Sequence, residues 1–268
     1  MIQQMLHQTG REITETISGI IGSMKGVSLE EMSAVRLMNR KDTKFLLPVS
    51  DLPFILEQLS GHYRVQEIDG KRMAAYETIY YDYYRQQFYL DHVNGKLNRR
   101  KVRERCYMDS GLRFLEVKRK TNRSKTVKIR IVLNGQAAKQ DVRAIELIRN
   151  QADADFNELL PMLINRFTRI TFVNTGFTER VTIDFHLRFG LPGNGELFQQ
   201  NELAIIEVKQ DKSCPSYISA LLRDLRIKRA GFSKYCYGMV MTGQVWKVNS
   251  MKRKLRRIQK IINHEYVA

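Results

Sequence analysis

The stretch RRKVRERCY, residues 99–107, decides how the fold has to be read. Side chains of an extended strand alternate between two faces, so Arg99, Lys101, Arg103 and Arg105 share one side. Arg100, Val102, Glu104 and Cys106 take the other. Cations at two-residue spacing repel one another, and a strand ordinarily gives one face to apolar contact. Such a face is sensible only where it meets concentrated negative charge.

The surrounding sequence repeats the pattern. In 112–120, Leu112, Phe114, Glu116, Lys118 and Lys120 oppose Arg113, Leu115, Val117 and Arg119. In 125–132, Thr126, Lys128 and Arg130 oppose Val127, Ile129 and Ile131. In 167–173, Arg169 and Thr171 oppose Ile170 and Phe172. In 178–189, Arg180, Thr182, Asp184, His186 and Arg188 oppose Val181, Ile183, Phe185, Leu187 and Phe189. In 203–209, Glu207 and Lys209 oppose Ala204, Ile206 and Val208, and RKDTKFLL (40–47) sets Arg40, Asp42 and Lys44 on one face.

A polar face turned to water explains any one of these strands alone. It does not explain the set. Between Lys96 and Arg130 stand 14 basic and 3 acidic residues, and antiparallel pairing would bring their like charges into cross-strand contact. A closed barrel with the charged faces inward and helices over its apolar outside would gather these cations round one lumen. That lumen is stable only around an anion such as a chain of phosphates.

Composition agrees. The chain of 268 residues is 43% hydrophobic, enough for a sizeable core, and its 45 Lys+Arg against 28 Asp+Glu give +17. That excess points to a polyanionic partner: nucleic acid, an anionic membrane surface or a phosphate-rich ligand. Cys106, Cys214 and Cys236 include no CxxC spacing, which argues against a disulfide framework or a zinc site and suits a reducing compartment. The N-terminus lacks a basic region followed by an apolar one, and no apolar run approaches the ~18 residues of a membrane span. A cytoplasmic location is expected.

Helices are expected where the strand pattern lapses. Ser28 with Glu31 forms a capping box opening a short helix to about Val35. Pro53 stands in the first turn of another, to about Leu59. FYLDHVNG (88–95) reads as a helix ending at Asn-Gly, 139–165 as one or two helices through Leu159, Leu160 and Leu163, and 215–227 as one more. The tail from Ser250 is a basic amphipathic helix with Met251, Leu255, Ile258 and Ile262 on one stripe; its role stays open. The organisation is a helical arm over 1–38 and one α+β domain over 39–268 that includes the basic tail.

A divalent ion that bridges phosphates needs carboxylate oxygens. Glu116 and Glu207 stand in the two E-V-K strands, each two residues from a lysine on the same face. Either is a metal ligand or one half of an ion pair. His186 reads as structural, Tyr80, Tyr81, Tyr83 and Tyr84 as strand-end packing, and Cys106 as outward-facing core.

Taken in order, R-x-D-x-K-F-L-L (40–47), KVRERCY (101–107), FLEVKRKT (114–121), TVKIR (126–130), RVTID (180–184), IIEVK (205–209) and FSKY (232–235) resemble the vacuolar transporter chaperone domain. That domain is the polyphosphate polymerase branch of the triphosphate tunnel metalloenzyme superfamily. The resemblance, over residues 28–245, implies an antiparallel eight-stranded tunnel that holds triphosphate and a divalent metal, Mn2+ or Mg2+. It implies transfer of the terminal phosphate of ATP to a growing polyphosphate chain, with ATP and polyphosphate as partners and no nucleic acid. Lys44, Arg103, Arg105, Lys118, Lys128, Arg169 and Arg180 resemble its phosphate ligands, of which Arg103, Arg105, Lys118, Arg169 and Arg180 would serve catalysis. Glu207 resembles its metal-binding glutamate, with Glu116 the second metal candidate, and Ser233-Lys234 its serine-lysine pair at a tunnel mouth.

Four positions depart from the pattern. The superfamily's E-x-E-x-K is here Arg40-x-Asp42-x-Lys44, Phe167 replaces a tyrosine, and Gly231 replaces a lysine. Any coupling to translocation would call for separate membrane subunits. A tripolyphosphate or nucleoside triphosphate hydrolase on the same tunnel is the alternative enzyme, and would want more lumen carboxylates. A non-catalytic module reading polyphosphate or RNA is the third reading. RNA would favour exposed aromatic residues among the basic ones, and the tunnel strands show none.

Overall fold

A computed structural model describes residues 2–33, 40–122, 126–135, 137–211 and 214–264. The expected helix end near Val35, the 38/39 boundary and a strand start at Lys125 lie outside these residues. The N-terminal elements are α1 (Ile2–Ser23), β1 (Gly26–Val27), α2 (Leu29–Ser33), β2 (Arg40–Pro48), α3 (Leu52–Leu59) and β3 (Tyr63–Gln66). Then come β4 (Ala74–Tyr83), α4 (Gln87–Val93), β5 (Arg99–Tyr107), β6 (Arg113–Lys120), β7 (Thr126–Leu133) and α5 (Val142–Ala152). The chain continues through β8 (Leu159–Asn174), β9 (Glu179–Gly190), β10 (Leu197–Gln200) and β11 (Leu203–Asp211) to α6 (Tyr217–Asp224), α7 (Lys234–Met241) and α8 (Asn249–Ile262).

The main sheet runs β2-β11-β9-β8-β4-β5-β6-β7 with every neighbouring pair antiparallel. The expectation of a closed barrel is corrected at one seam. β2 and β7 end the ladder, and among the described residues no pairing joins them. The free edge of β2 is met instead, at Lys44 and Phe45, by the chain entering α7. Ala230 N donates to the Lys44 carbonyl at 2.8 Å, and Arg229 bridges to Phe45. Three residues on, Ser233 Oγ accepts from Lys101 Nζ of β5 at 2.9 Å. The sheet still curls on itself: Lys118 on β6 feels the charges of Glu207, Lys44 and Asp42 near the opposite end.

Alternation sorts the side chains as the charged strands demand. On the convex face, Phe45, Val181, Ile183, Ala204, Ile206 and Val208 pack beneath α1, α3 and α6, with Ile17 and Ile21 of α1 fully part of that core. Val102, Leu115 and Val117 pack beneath Ala144, Leu147 and Ile148 of α5. Each such Ile or Leu contributes roughly 1.5–3 kcal/mol by leaving water. The concave face has two zones. Leu46, Leu163, Phe167, Leu187 and Ile205 form an apolar end, plugged by Tyr235, Tyr237 and Met239 of α7 and by Met251 and Ile258 of α8. The other zone carries the cations.

Local chemistry bears out several helix expectations. Ser28 N donates to Glu31 Oε2 at 2.8 Å and Glu31 N to Ser28 Oγ at 3.1 Å, the reciprocal pair of a capping box. α8 buries Met251 and Ile258 and half-buries Leu255 and Ile262, as its stripe requires. Cys106 faces outward but is only half-buried.

Two further expectations are overturned. Within residues 139–165 the α-helix covers only Val142–Ala152, with short 3-10 turns at Ala138–Gln140 and Phe156–Glu158, and β8 begins at Leu159. The spacing of Leu159 and Leu163 suits a strand as well as a helix. Pairing with β4 decides between them, and Pro161 is accommodated where the β4–β8 register shifts. The alternation of β9 also breaks. The β8–β9 register shifts between Arg166 and Thr168, and His186 takes φ 51. Asp184 therefore faces the lumen, whereas His186 turns to α1, where Nε2 lies 3.1 Å from Thr14 Oγ1.

Candidate functional site

β5, β6 and β7 bring their inward residues into rows: Arg103 opposes Glu116, and Lys101, Lys118 and Lys128 stand side by side. Arg103 Nε donates to Glu116 Oε2 at 2.7 Å and Lys128 pairs with the other oxygen. Burial would raise the Glu116 carboxyl, but the charges of Arg103, Arg105 and Lys128 overcome it and hold it at about 2. Lys118 extends, exposed, into the lumen.

A second group is built on β8, β9 and α7. Arg169 forks onto Asp184, Nε to Oδ1 at 2.5 Å and Nη2 to Oδ2 at 2.8 Å, and Lys234 Nζ donates to the same Oδ2. Beneath them Tyr76 and Phe167 stack with centroids 5.1 Å apart and 3° between planes. The Arg169 guanidinium sits 5.2 Å and Arg105 5.4 Å from the Tyr76 centroid, and Lys234 Nζ 3.6 Å from that of Phe167. These contacts fix the cations in place.

α7 reaches this group because buried Asp82 accepts from Tyr235 Oη at 2.5 Å and from the first amides of α4. Ser233 Oγ caps α7 and accepts from Lys101, so the positive end of the helix dipole points into the lumen.

The third group lies on β2 and β11. Lys44 Nζ donates to Glu207 Oε2, and Lys209 Nζ is 3.7 Å from Oε1. Despite burial, these ammonium groups keep the Glu207 carboxyl far below the usual carboxylate range.

The cations show what the lumen lacks. Burial brings Lys234 down to about 7 in spite of Asp184, and Arg169 adds to the fall. Burial, with Lys118 and Arg103 close by, brings Lys101 to about 8, and burial brings Lys128 to about 8 even beside Glu116. Arg105 is lowered to about 10 by burial and by Arg103 and Arg169. Positive charge is packed here beyond what the local carboxylates neutralise. A multivalent anion would relieve it.

The residues expected at the site thus fall into place unevenly. Lys44, Arg103, Arg105, Glu116, Lys118, Lys128, Arg169, Glu207, Ser233 and Lys234 converge on the charged zone. Arg180 stands at its edge, opposite Lys209 in register, with Nη2 donating to the Met32 carbonyl of α2 at 2.8 Å. Lys101 and Lys209 join the group without having been assigned a role, although strand alternation marks both. Tyr76 carries no charge pattern of its own, and its place under the cations follows only from the pairing of β4 with β5 and β8.

The VTC domain model matches residues 39–242. Among curated proteins nothing matches the chain. Similar solved structures include a Hippeastrum protein described as having a dominant triphosphatase activity, at 14% identity and TM-score 0.46, covering 79% of this chain and 99% of that one. A Vibrio parahaemolyticus protein named as an adenylate cyclase candidate aligns at 12% identity and TM-score 0.42, covering 74% and 96%. The PH1819 protein of Pyrococcus horikoshii aligns at 15% identity and TM-score 0.41, covering 75% and 98%. With most of its length, and every strand of the charged lumen, inside the family match, the chain belongs to the VTC-domain family.

Proposed function

We propose that the chain is a metal-dependent polyphosphate polymerase that transfers the terminal phosphate of ATP to a polyphosphate chain held in the lumen. One observation carries this reading. Glu116, Asp184 and Glu207 are each held by two cations, Arg103 with Lys128, Arg169 with Lys234, and Lys44 with Lys209. Carboxylates engaged in this way serve as counter-ions and are poorly placed to take a proton from water. Hydrolysis gains from such a base. Polymerisation does not need one, because its nucleophile is a phosphate oxygen that is already anionic.

In the step proposed, a terminal oxygen of the acceptor chain attacks the γ-phosphorus, the new P–O bond forms, and the bond to the β-phosphate oxygen breaks to release ADP. Charge spreads over the γ-phosphoryl oxygens in a loose transition state, so positioning and electrostatics do most of the work. Arg105 and Arg169, braced on Tyr76 and Phe167, present fixed guanidinium forks. Lys118, Lys128 and Lys44 add compact ammonium charges. Arg103 is oriented by Glu116, and Lys234 by Asp184.

Among the described residues no three His, Cys, Asp or Glu side chains stand together as metal donors. The donor set still fits Mg2+ or Mn2+, which binds phosphates through one or two carboxylates while keeping waters. Glu207 is the residue we assign to it, and Glu116, 1% exposed, we assign to orienting Arg103. When bound, the ion would neutralise charge on the phosphate oxygens. Incubating the purified protein with ATP and manganese and resolving the products on a polyphosphate gel tests the reading. A ladder supports it, and orthophosphate without a ladder overturns it.

A further inference from the structure

Trp246 is the chain's single tryptophan and is 91% exposed. Large aromatic side chains seldom face water so fully, and this one does not hang on a loose loop. Val245 beside it is buried, Gln86 donates its side-chain amide to the Gln244 carbonyl, and Tyr89 Oη donates to the Lys247 carbonyl at 2.8 Å. Lys247 Nζ donates in turn to Asn94 Oδ1 at 2.7 Å. The backbone on both sides is pinned to α4, so the indole is held outward.

Three residues later α8 begins. Its apolar stripe is consumed by the core, and its outer face carries Lys252, Arg253, Arg256 and Lys260, all exposed, with no acidic residue in the helix. α8 and Trp246 also lie outside residues 39–242, so the family match gives no account of them.

We propose that Trp246 and the outer face of α8 form a docking surface for an anionic lipid bilayer. Indole rings favour the headgroup region, where an apolar ring and an N–H can both be satisfied. Clustered Lys and Arg are drawn to the negative surface potential of acidic lipids. No helix of the described residues is long and apolar enough to span a membrane, and the apolar stripe of α8 is not available to insert. The contact is therefore peripheral: electrostatic attraction with one aromatic anchor. A nucleic acid would use the same charge, but a single isolated indole offers no run of rings for successive bases.

The lone tryptophan makes the test direct. Mixed phosphatidylcholine–phosphatidylglycerol vesicles are titrated into the full chain while indole emission is followed, with pure phosphatidylcholine, inorganic triphosphate and RNA as separate arms. The expected result is a blue shift with the anionic vesicles alone. Each charge removed should weaken vesicle affinity by roughly fivefold, so Arg253→Gln with Arg256→Gln should lose about 25-fold, with an unchanged thermal melt because both side chains are exposed. Trp246→Phe, followed by co-sedimentation, should bind more weakly than the parent. Unchanged emission with anionic vesicles overturns the proposal. So does an equal shift with triphosphate or RNA, or a double variant that binds as tightly as the parent.

Discussion

Replacing Asp184 with asparagine isolates the idea that lumen carboxylates exist to hold cations in position. Asp184 is 3% exposed and takes both arms of Arg169 as well as Lys234. Asparagine keeps the shape but offers one acceptor oxygen and turns an N–H2 toward a donor. Breaking a buried pair and stranding its partner costs about 3–5 kcal/mol. Lys234, already brought down to about 7 by burial, can shed its proton, which puts the cost near the lower end. At roughly 2–4 °C per kcal/mol for a chain of this size, the melt should fall by roughly 6–12 °C. Inorganic tripolyphosphate supplies the missing anion, so the gap between variant and parent should narrow when it is added. Thermal melts by circular dichroism, with and without tripolyphosphate, read both effects. A variant that melts with the parent, or a gap that widens with the ligand, refutes the reasoning.

Lys118→Met removes an exposed lumen cation, so turnover should fall on the order of a hundredfold while the melt holds; intact turnover in steady-state kinetics would remove Lys118 from the site. Glu207→Gln should abolish activation by divalent ions yet leave metal-free triphosphate binding intact or tighter, read by calorimetry beside a metal titration. Lys234 and Lys101 have folded pKa values near 7 and 8, below the ordinary lysine value, so the unfolded chain binds more protons between about pH 7 and 10. Over that window the empty protein should gain stability as pH rises, while triphosphate affinity falls; urea midpoints and calorimetry at the two ends of the window check both signs.

The charged face was legible because alternation is a local property. Arg103, Arg105, Lys118 and Glu207 needed only their own strands to be placed on one side. What depended on pairing was not legible. Leu159 and Leu163 fit two periods, and only β4 across the ladder makes them a strand. The bulge at His186 turns Leu187 and Phe189 inward, away from Phe185, and nothing in the local pattern of β9 signals it. The plug of α7 and α8 was hidden for a similar reason. FSKY and the basic tail stand out in the sequence, but that they close the apolar end of the concave face follows from Tyr235 reaching Asp82 and from Ala230 holding the edge of β2.

The central claim is that phosphate leaving ATP in this lumen joins another phosphate and not water. The most direct measurement is the ratio of orthophosphate to ADP released over time from ATP and manganese, compared between the parent chain and Lys118→Met. Polymerisation predicts that ADP accumulates with little orthophosphate and that phosphorus NMR shows growing internal-phosphate signal, both lost together in the variant. Equal amounts of ADP and orthophosphate from the outset, with no internal-phosphate signal, would contradict it.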